Sequence, residues 1–88
     1  MRKTTVKISN KAGLHARAAS KLVSVATAYR CDVQIGADKL VDGKSILALM
    51  MLAAVKGTTL NVIADGEDEE HALKAIVELI NNRFDEAQ

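Results

Sequence analysis

The chain has 88 residues, of which 49% are hydrophobic and 26% are charged, and these values are typical of one small globular domain. A domain of this length buries only about 60–65% of the surface that its unfolded chain exposes, so we expect a thin core. The net charge of +1 and the aromatic content of 2% disfavour nucleic-acid binding, which relies on basic surfaces and aromatic stacking.

The sequence carries no targeting or metal-binding pattern. Its longest apolar run, residues 46–55, is shorter than the roughly 18 residues that a membrane-spanning helix needs, and no apolar signal segment follows the basic N-terminus. The single cysteine, Cys31, cannot form an internal disulfide, which fits a reducing compartment. We therefore expect a cytoplasmic protein without membrane insertion, bound metal or cofactor, since its two histidines and one cysteine lie far apart.

Charge is distributed unevenly between the two halves. Residues 1–44 carry nine Lys and Arg against three Asp, a net charge of +6, and residues 45–88 carry three against eight acidic residues, a net charge of −5. A basic first half suits a phosphate group or an acidic protein surface. The alternative is ordinary charge segregation without a role.

The first third of the chain predicts a strand, a loop and a helix. Polar and apolar residues alternate over Thr4–Ser9, which is typical of a half-buried strand. Residues 10–13 form a loop that Leu14 helps to anchor. An amphipathic helix is predicted from Ala16 to about Tyr29. Its apolar stripe consists of Ala19, Leu22, Val23 and Ala26.

Two strands and a second helix follow. Cys31–Gly36 and Lys39–Asp42 are predicted strands joined by a turn. Ser45 is a plausible N-cap for a helix that starts at Ile46, continues to Leu52 or Ala54, and is ended by Lys56-Gly57. The inward residues of the earlier strand are Cys31, Val33 and Ile35.

The second helix is apolar on nearly every side. Leu49 and Leu52 are expected to face the core, which leaves Ile46, Leu47 and Met50 exposed as a patch of the kind that marks a partner site. The alternative is a deeply buried helix.

A fourth strand at Thr59–Ala64 and a last helix complete the chain. The acidic run at residues 67–70 starts that helix, where negative charge complements the helix dipole, and the helical pattern continues to about Arg83. The order β-α-β-β-α-β-α predicts a single α+β domain over residues 1–88, with a four-stranded antiparallel sheet and three helices on one face. Tyr29 and Phe84 are expected to be packing residues, and His71 is expected to be exposed.

His15 is the candidate functional residue. Gly13 interrupts the preceding extended segment, so His15 lies where a loop becomes a helix. The first turn of a helix presents free N–H groups, here those of Ala16, Arg17 and Ala18, and binds anions. A neutral imidazole at this place could accept a phosphoryl group. The alternative is a surface histidine beside a helix start.

Gly13-Leu14-His15-Ala16-Arg17 followed by small residues resembles the active-site segment of the histidine-containing phosphocarrier (HPr) family of the bacterial phosphotransferase system. The resemblance covers essentially the whole chain and implies an open-faced β-sandwich. It implies that enzyme I, using phosphoenolpyruvate, phosphorylates His15 on Nδ1, that Arg17 contacts the phosphate, and that the group passes to IIA proteins or domains in sugar uptake. The protein would then be a monomeric carrier and not an enzyme. Ala18 departs from the family pattern, in which proline is usual.

The resemblance also assigns roles around the second helix. Lys44-Ser45-Ile46 looks like the regulatory segment of HPr, in which a dedicated HPr serine kinase of some bacteria phosphorylates the serine. HPr proteins dock enzyme I and IIA proteins through this helix and the active-site helix, so Ser20 and Lys21 are expected to join Ile46, Leu47 and Met50 in the partner surface.

Three alternatives stay open at this point. The nearest is the nitrogen-related branch of the same family, in which the same chemistry signals and does not import sugar. A hydrolase similar to acylphosphatase would need a group near Arg17 to activate water, and the sequence offers none. A ligand-binding regulatory module would not need His15.

Overall fold

The computed structural model describes residues 1–87 and has the predicted order of strands and helices. The strands are β1 (Arg2–Lys7), β2 (Asp32–Gly36), β3 (Val41–Asp42) and β4 (Thr59–Asp65). The helices are α1 (Ala16–Thr27), α2 (Ile46–Met51) and α3 (Glu69–Asn81), and a short helical turn, Arg83–Asp85, follows α3.

The strands form one antiparallel sheet in the order β1-β4-β2-β3. The longest strand, β4, is therefore central, and it pairs Val62 with Thr4 on one side and with Ile35 on the other. Side chains alternate along each strand, so Leu60, Val62 and Ala64 are buried while their neighbours face outward. This alternation covers one face of the sheet and leaves the other to solvent.

The core lies between the sheet and the three helices, which confirms the predicted α+β architecture. Leu22 of α1, Leu49 of α2 and Ile76 of α3 are all fully buried and belong to the same core cluster as the buried strand residues. Cys31 and Phe84 are buried, Tyr29 packs partly against the core and His71 is exposed, as the sequence predicts. Across residues 1–87, no helix has both the length and the apolar content that a membrane crossing requires.

The second helix is shorter than its apolar pattern predicts. It ends at Met51, and Ala53, not Gly57, is the first residue beyond it with a left-handed backbone, at φ 51°. Gly57 has φ 93° but belongs to a later turn, where the Thr58 N–H donates to the Val55 carbonyl at 3.0 Å. Beyond this left-handed residue, the Ala54 carbonyl accepts the Leu14 N–H of the loop before α1 at 2.9 Å.

Smaller differences concern the edges of elements. The strand predicted at residues 39–42 retains only its last two residues, and the first strand begins at Arg2 and ends at Lys7. The first helix stops at Thr27, and Val23 of its predicted stripe is only half-buried, whereas Ala18 is fully buried.

Candidate functional site

The loop before α1 is fixed in place by backbone contacts. Gly13 has φ 71°, and a Cβ atom there would lie 2.5 Å from the Ala54 carbonyl oxygen, so only glycine fits without a shift. The Leu14 N–H donates to the same oxygen at 2.9 Å, and the Leu14 side chain is buried. The predicted anchoring role of Leu14 is confirmed, and the loop delivers the next residue at a defined position.

His15 is the N-cap of α1. Its backbone is extended (φ −83°, ψ −179°) and its carbonyl accepts the Ala19 N–H at 2.8 Å. The Arg17 N–H donates to the ring Nδ1 at 3.2 Å, so the imidazole takes the place that a serine or aspartate oxygen has at other helix starts. The side chain is 33% exposed, which leaves the ring accessible.

The other ring nitrogen of His15 contacts a carboxylate. Nε2 lies 2.5 Å from Oε2 of Glu86. A carboxylate only accepts hydrogen bonds and a backbone N–H only donates them, so in the neutral ring Nε2 carries the proton and Nδ1 carries the lone pair. The two contacts together define the tautomer.

Glu86 is held as a carboxylate. The hydrogen bond from His15 is the main cause that lowers the pKa of Glu86 from its ordinary value, and the Asn10 hydrogen bond and the Lys21 charge act in the same direction. Partial burial opposes them.

Asn10 connects the loop to this carboxylate. Its side chain is fully buried, and Nδ2 donates to the Gly13 carbonyl at 2.8 Å and to Glu86 Oε1 at 3.1 Å. One amide group thus fixes both the loop that carries His15 and the acid that contacts its ring.

Asn10 and Glu86 are not identifiable as site residues from the sequence alone. Glu86 reaches His15 because residues 83–85 all have left-handed backbones, with φ between 53° and 64°, and turn the chain back after α3. Phe84 is buried in this turn, and Lys21 donates from Nζ to its carbonyl at 2.8 Å. Three successive left-handed residues without glycine carry no recognisable sequence pattern.

The remaining predicted site residues lie around the start of α1. Ala16 and Arg17 are exposed in its first turn, and the Ala18 side chain is buried beneath it. Ser20 is exposed one turn further along, whereas Lys21 is half-buried by its contact with Phe84. Within residues 1–87, His, Cys, Asp and Glu side chains do not gather in a group of three that could hold a metal ion.

The start of α2 is capped by a side chain in the same way as the start of α1. The Ser45 hydroxyl accepts the Ala48 N–H at 3.2 Å, which confirms Ser45 as the N-cap of α2. Beyond it, Ile46, Leu47 and Met50 are 41%, 70% and 42% exposed, as predicted. Met51, which was not singled out from the sequence, is 76% exposed beside them. We call these four apolar residues the α2 patch.

The fold and the site define a small open-faced α+β protein with an accessible histidine at a helix N-terminus. Residues 2–82 match the family described as "PTS HPr component phosphorylation site". The chain belongs to the HPr family, the phosphocarrier proteins of the phosphotransferase system.

Relatives and solved structures support this membership along the whole chain. The chain is 59% identical to the phosphocarrier protein HPr of Pseudomonas aeruginosa, over 94% of each sequence. It is 41% identical to the phosphocarrier protein NPr of Escherichia coli, over 96% of each. A crystal structure of HPr from Thermoanaerobacter tengcongensis superposes with a TM-score of 0.95 over all of both chains, at 39% identity.

Proposed function

We propose that His15 Nδ1 accepts a phosphoryl group from enzyme I, charged by phosphoenolpyruvate, and passes it to IIA proteins or domains in sugar uptake. The observation that carries the proposal is the tautomer: Nδ1 holds a lone pair and faces the first turn of α1, while Nε2 is occupied by Glu86. The protein acts as a carrier that enzymes phosphorylate, not as an enzyme itself.

The transfer uses the imidazole ring of His15 and the start of α1. The Nδ1 lone pair forms a bond to phosphorus while the bond from phosphorus to the donor's leaving atom breaks, and the leaving atom keeps that electron pair. The Arg17 N–H then loses its acceptor on Nδ1 and can donate to a phosphoryl oxygen, together with the N–H groups of Ala16 and Ala18. The exposed Arg17 guanidinium supplies further donors.

The test compares the two histidines of the chain. Wild type, His15→Gln and His71→Gln are incubated with enzyme I and ³²P-labelled phosphoenolpyruvate. We expect an acid-labile, base-stable label on wild type and on His71→Gln. His71 is an exposed residue of α3 and lies outside the proposed site, so its loss should not affect labelling. His15→Gln should take none, and label on that variant would overturn the proposal.

The α2 patch is proposed as the docking surface for enzyme I and IIA proteins, with Ser20 and Lys21 at its border. Exposed neighbouring aliphatic and methionine side chains favour a protein partner, since methionine adapts to differing surfaces. Leu47→Asp should slow transfer from enzyme I strongly. Leu40→Asp, which alters a 38% exposed leucine just before β3, is the control and should transfer at the wild-type rate.

Ser45 is proposed as a regulatory site for an HPr serine kinase. Phosphate at the start of α2 is electrostatically tolerated by the helix but would place negative charge directly beside Ile46 and Leu47. Ser45→Asp should therefore slow transfer from enzyme I while Ser45→Ala does not, and equal rates in the two variants would refute this role.

The nitrogen-related branch is the second candidate, because one relative is named NPr. The higher identity to an HPr protein favours sugar uptake. Offering the phosphorylated protein to a sugar-specific IIA and to a nitrogen-related IIA in parallel decides between them, since the faster acceptor identifies the branch.

A further inference from the structure

We propose that Glu86, held by Asn10, is a positioning residue for phosphoryl transfer at His15. The inference rests on the proposed role of His15. Glu86 keeps the proton on Nε2, which leaves the lone pair on Nδ1, and its charge balances the positive charge that the ring acquires when Nδ1 carries the phosphoryl group.

The charge argument follows from counting protons and electrons. A neutral ring protonated on Nε2 donates its Nδ1 lone pair to phosphorus, so the product is a phosphorylated imidazolium with a positive ring. When the group moves on, the N–P bond breaks, its electron pair returns to Nδ1, and the neutral ring with Nε2–H is restored. No proton needs to enter or leave, provided that an anion holds Nε2–H throughout.

Glu86 meets the geometric requirements for that anion. Oε2 of Glu86 lies 2.5 Å from Nε2, and a hydrogen bond to an ionised acceptor is stronger than a neutral one. The Glu86 side chain is 21% exposed, so water screens the pair only in part. Its second oxygen accepts from Asn10, whose side chain is fully buried.

The backbone that carries Glu86 is fixed from two directions. Phe84 is buried in the core, and Lys21 of α1 donates to its carbonyl, so the turn cannot swing away without exposing an aromatic ring. The titratable groups that face Glu86 are His15 and Lys21, and the positive charge of Lys21 favours the carboxylate.

The Glu86→Gln substitution removes the negative charge of the side chain while keeping its size and an acceptor oxygen. A glutamine oxygen can still accept from Nε2–H but carries no charge, so the phosphorylated ring should lose its Nε2 proton at a lower pH. We expect the midpoint of the hydrolysis-against-pH profile of the phosphorylated protein to move down by about one unit, and acceptance from enzyme I to slow about tenfold. Glu78→Gln, an exposed residue of α3, makes the same charge change elsewhere and should match wild type.

The outcomes distinguish the inference from the function on which it rests. Wild type that takes no label from enzyme I refutes the proposed function, and the inference with it. Wild type that is labelled while Glu86→Gln keeps the wild-type pH profile refutes the inference alone. A lower melting temperature with an unchanged profile would show that Glu86 only fastens the end of the chain, and this also refutes it.

Discussion

The starts of α1 and α2 are both capped by a side chain that accepts a backbone N–H, but the two side chains differ. Each follows a glycine two residues earlier, Gly13 before His15 and Gly43 before Ser45, and each N-cap accepts an N–H of its own first turn. At α2 the cap is a hydroxyl oxygen beside exposed apolar residues, whereas at α1 it is a ring nitrogen whose far side meets a carboxylate. Similar helix starts therefore carry the proposed docking surface in one place and the proposed nucleophile in the other.

The largest effect is expected when the cap of α1 is replaced by the type of residue that caps α2. His15→Ser leaves an oxygen that can cap α1 but removes the nucleophilic nitrogen. We expect phosphoryl acceptance from enzyme I to be lost completely, while the free energy of unfolding changes by about 1 kcal/mol or less. Labelling and thermal melting measure the two effects, and a labelled His15→Ser protein would contradict the assignment.

The two glycines should differ in what their loss does. Gly13→Ala forces a left-handed backbone at φ 71° and a contact with a backbone carbonyl, at a cost of at least about 1–3 kcal/mol. Because that loop delivers His15, acceptance should also slow. Gly43→Ala would press on Val33 Cγ1 at 2.6 Å, so it should destabilise through overpacking, also by about 1–3 kcal/mol.

Denaturant unfolding and labelling of both glycine variants separate these effects. A Gly13→Ala protein that accepts phosphate normally would show that the loop before His15 does not control acceptance. A Gly43→Ala protein that accepts phosphate slowly would show that the effect is not specific to that loop.

Removing the second cap has a smaller and purely structural effect. Ser45→Ala deletes the acceptor of the Ala48 N–H and should lower the free energy of unfolding by about 1 kcal/mol, a decrease in Tm of about 4–8 °C. Calorimetry measures it. Phosphoryl acceptance should be unchanged, and a loss of acceptance would mean that the two helix starts are coupled.

The start of α3 adds a third case with the smallest expected effect. Asp68 makes no side-chain hydrogen bond to its own helix and instead accepts the N–H groups of Arg30 and Cys31, at 2.8 and 2.9 Å. The first of these bonds is the main cause that lowers the pKa of Asp68. A lowered pKa contributes stability above the ordinary value of 3.8 that is lost as the pH falls through the folded value.

Asp68→Asn should therefore reduce the fall in stability between pH 7 and pH 3. Urea unfolding of wild type and variant at both pH values measures the difference. Asp32→Asn, an exposed residue of β2, is the control. An equal fall in wild type and Asp68→Asn would refute the linkage.

The features that the sequence predicts well are those that neighbouring residues determine. Ser45 was predicted as the cap of α2, and His15 was predicted to lie where a loop becomes α1. The alternation of β4 places Leu60, Val62 and Ala64 in the core without reference to the rest of the chain. The exposure of Leu47 was also predictable, because a short helix in a thin core cannot bury every side.

The features that the sequence did not predict depend on distant contacts. The left-handed residue that follows α2 is Ala53 and not Gly57, and the next carbonyl, that of Ala54, accepts the N–H of Leu14, 40 residues earlier in the chain. Glu86 lies 71 residues from His15, and it arrives there through left-handed residues that intrinsic propensity disfavours. Tertiary packing of Phe84 overrides that propensity, and no local pattern reports it.

The order of the sheet leaves β1 as its longer free edge. An edge strand with unpaired N–H and C=O groups can recruit a strand from a second molecule. Three of the six residues of β1, Arg2, Lys3 and Lys7, are basic, so antiparallel addition of a second β1 would bring like charges together. The opposite edge, β3, offers only two residues. We therefore expect charge repulsion at β1 and the short length of β3 to oppose edge-to-edge pairing of sheets from different molecules at high protein concentration.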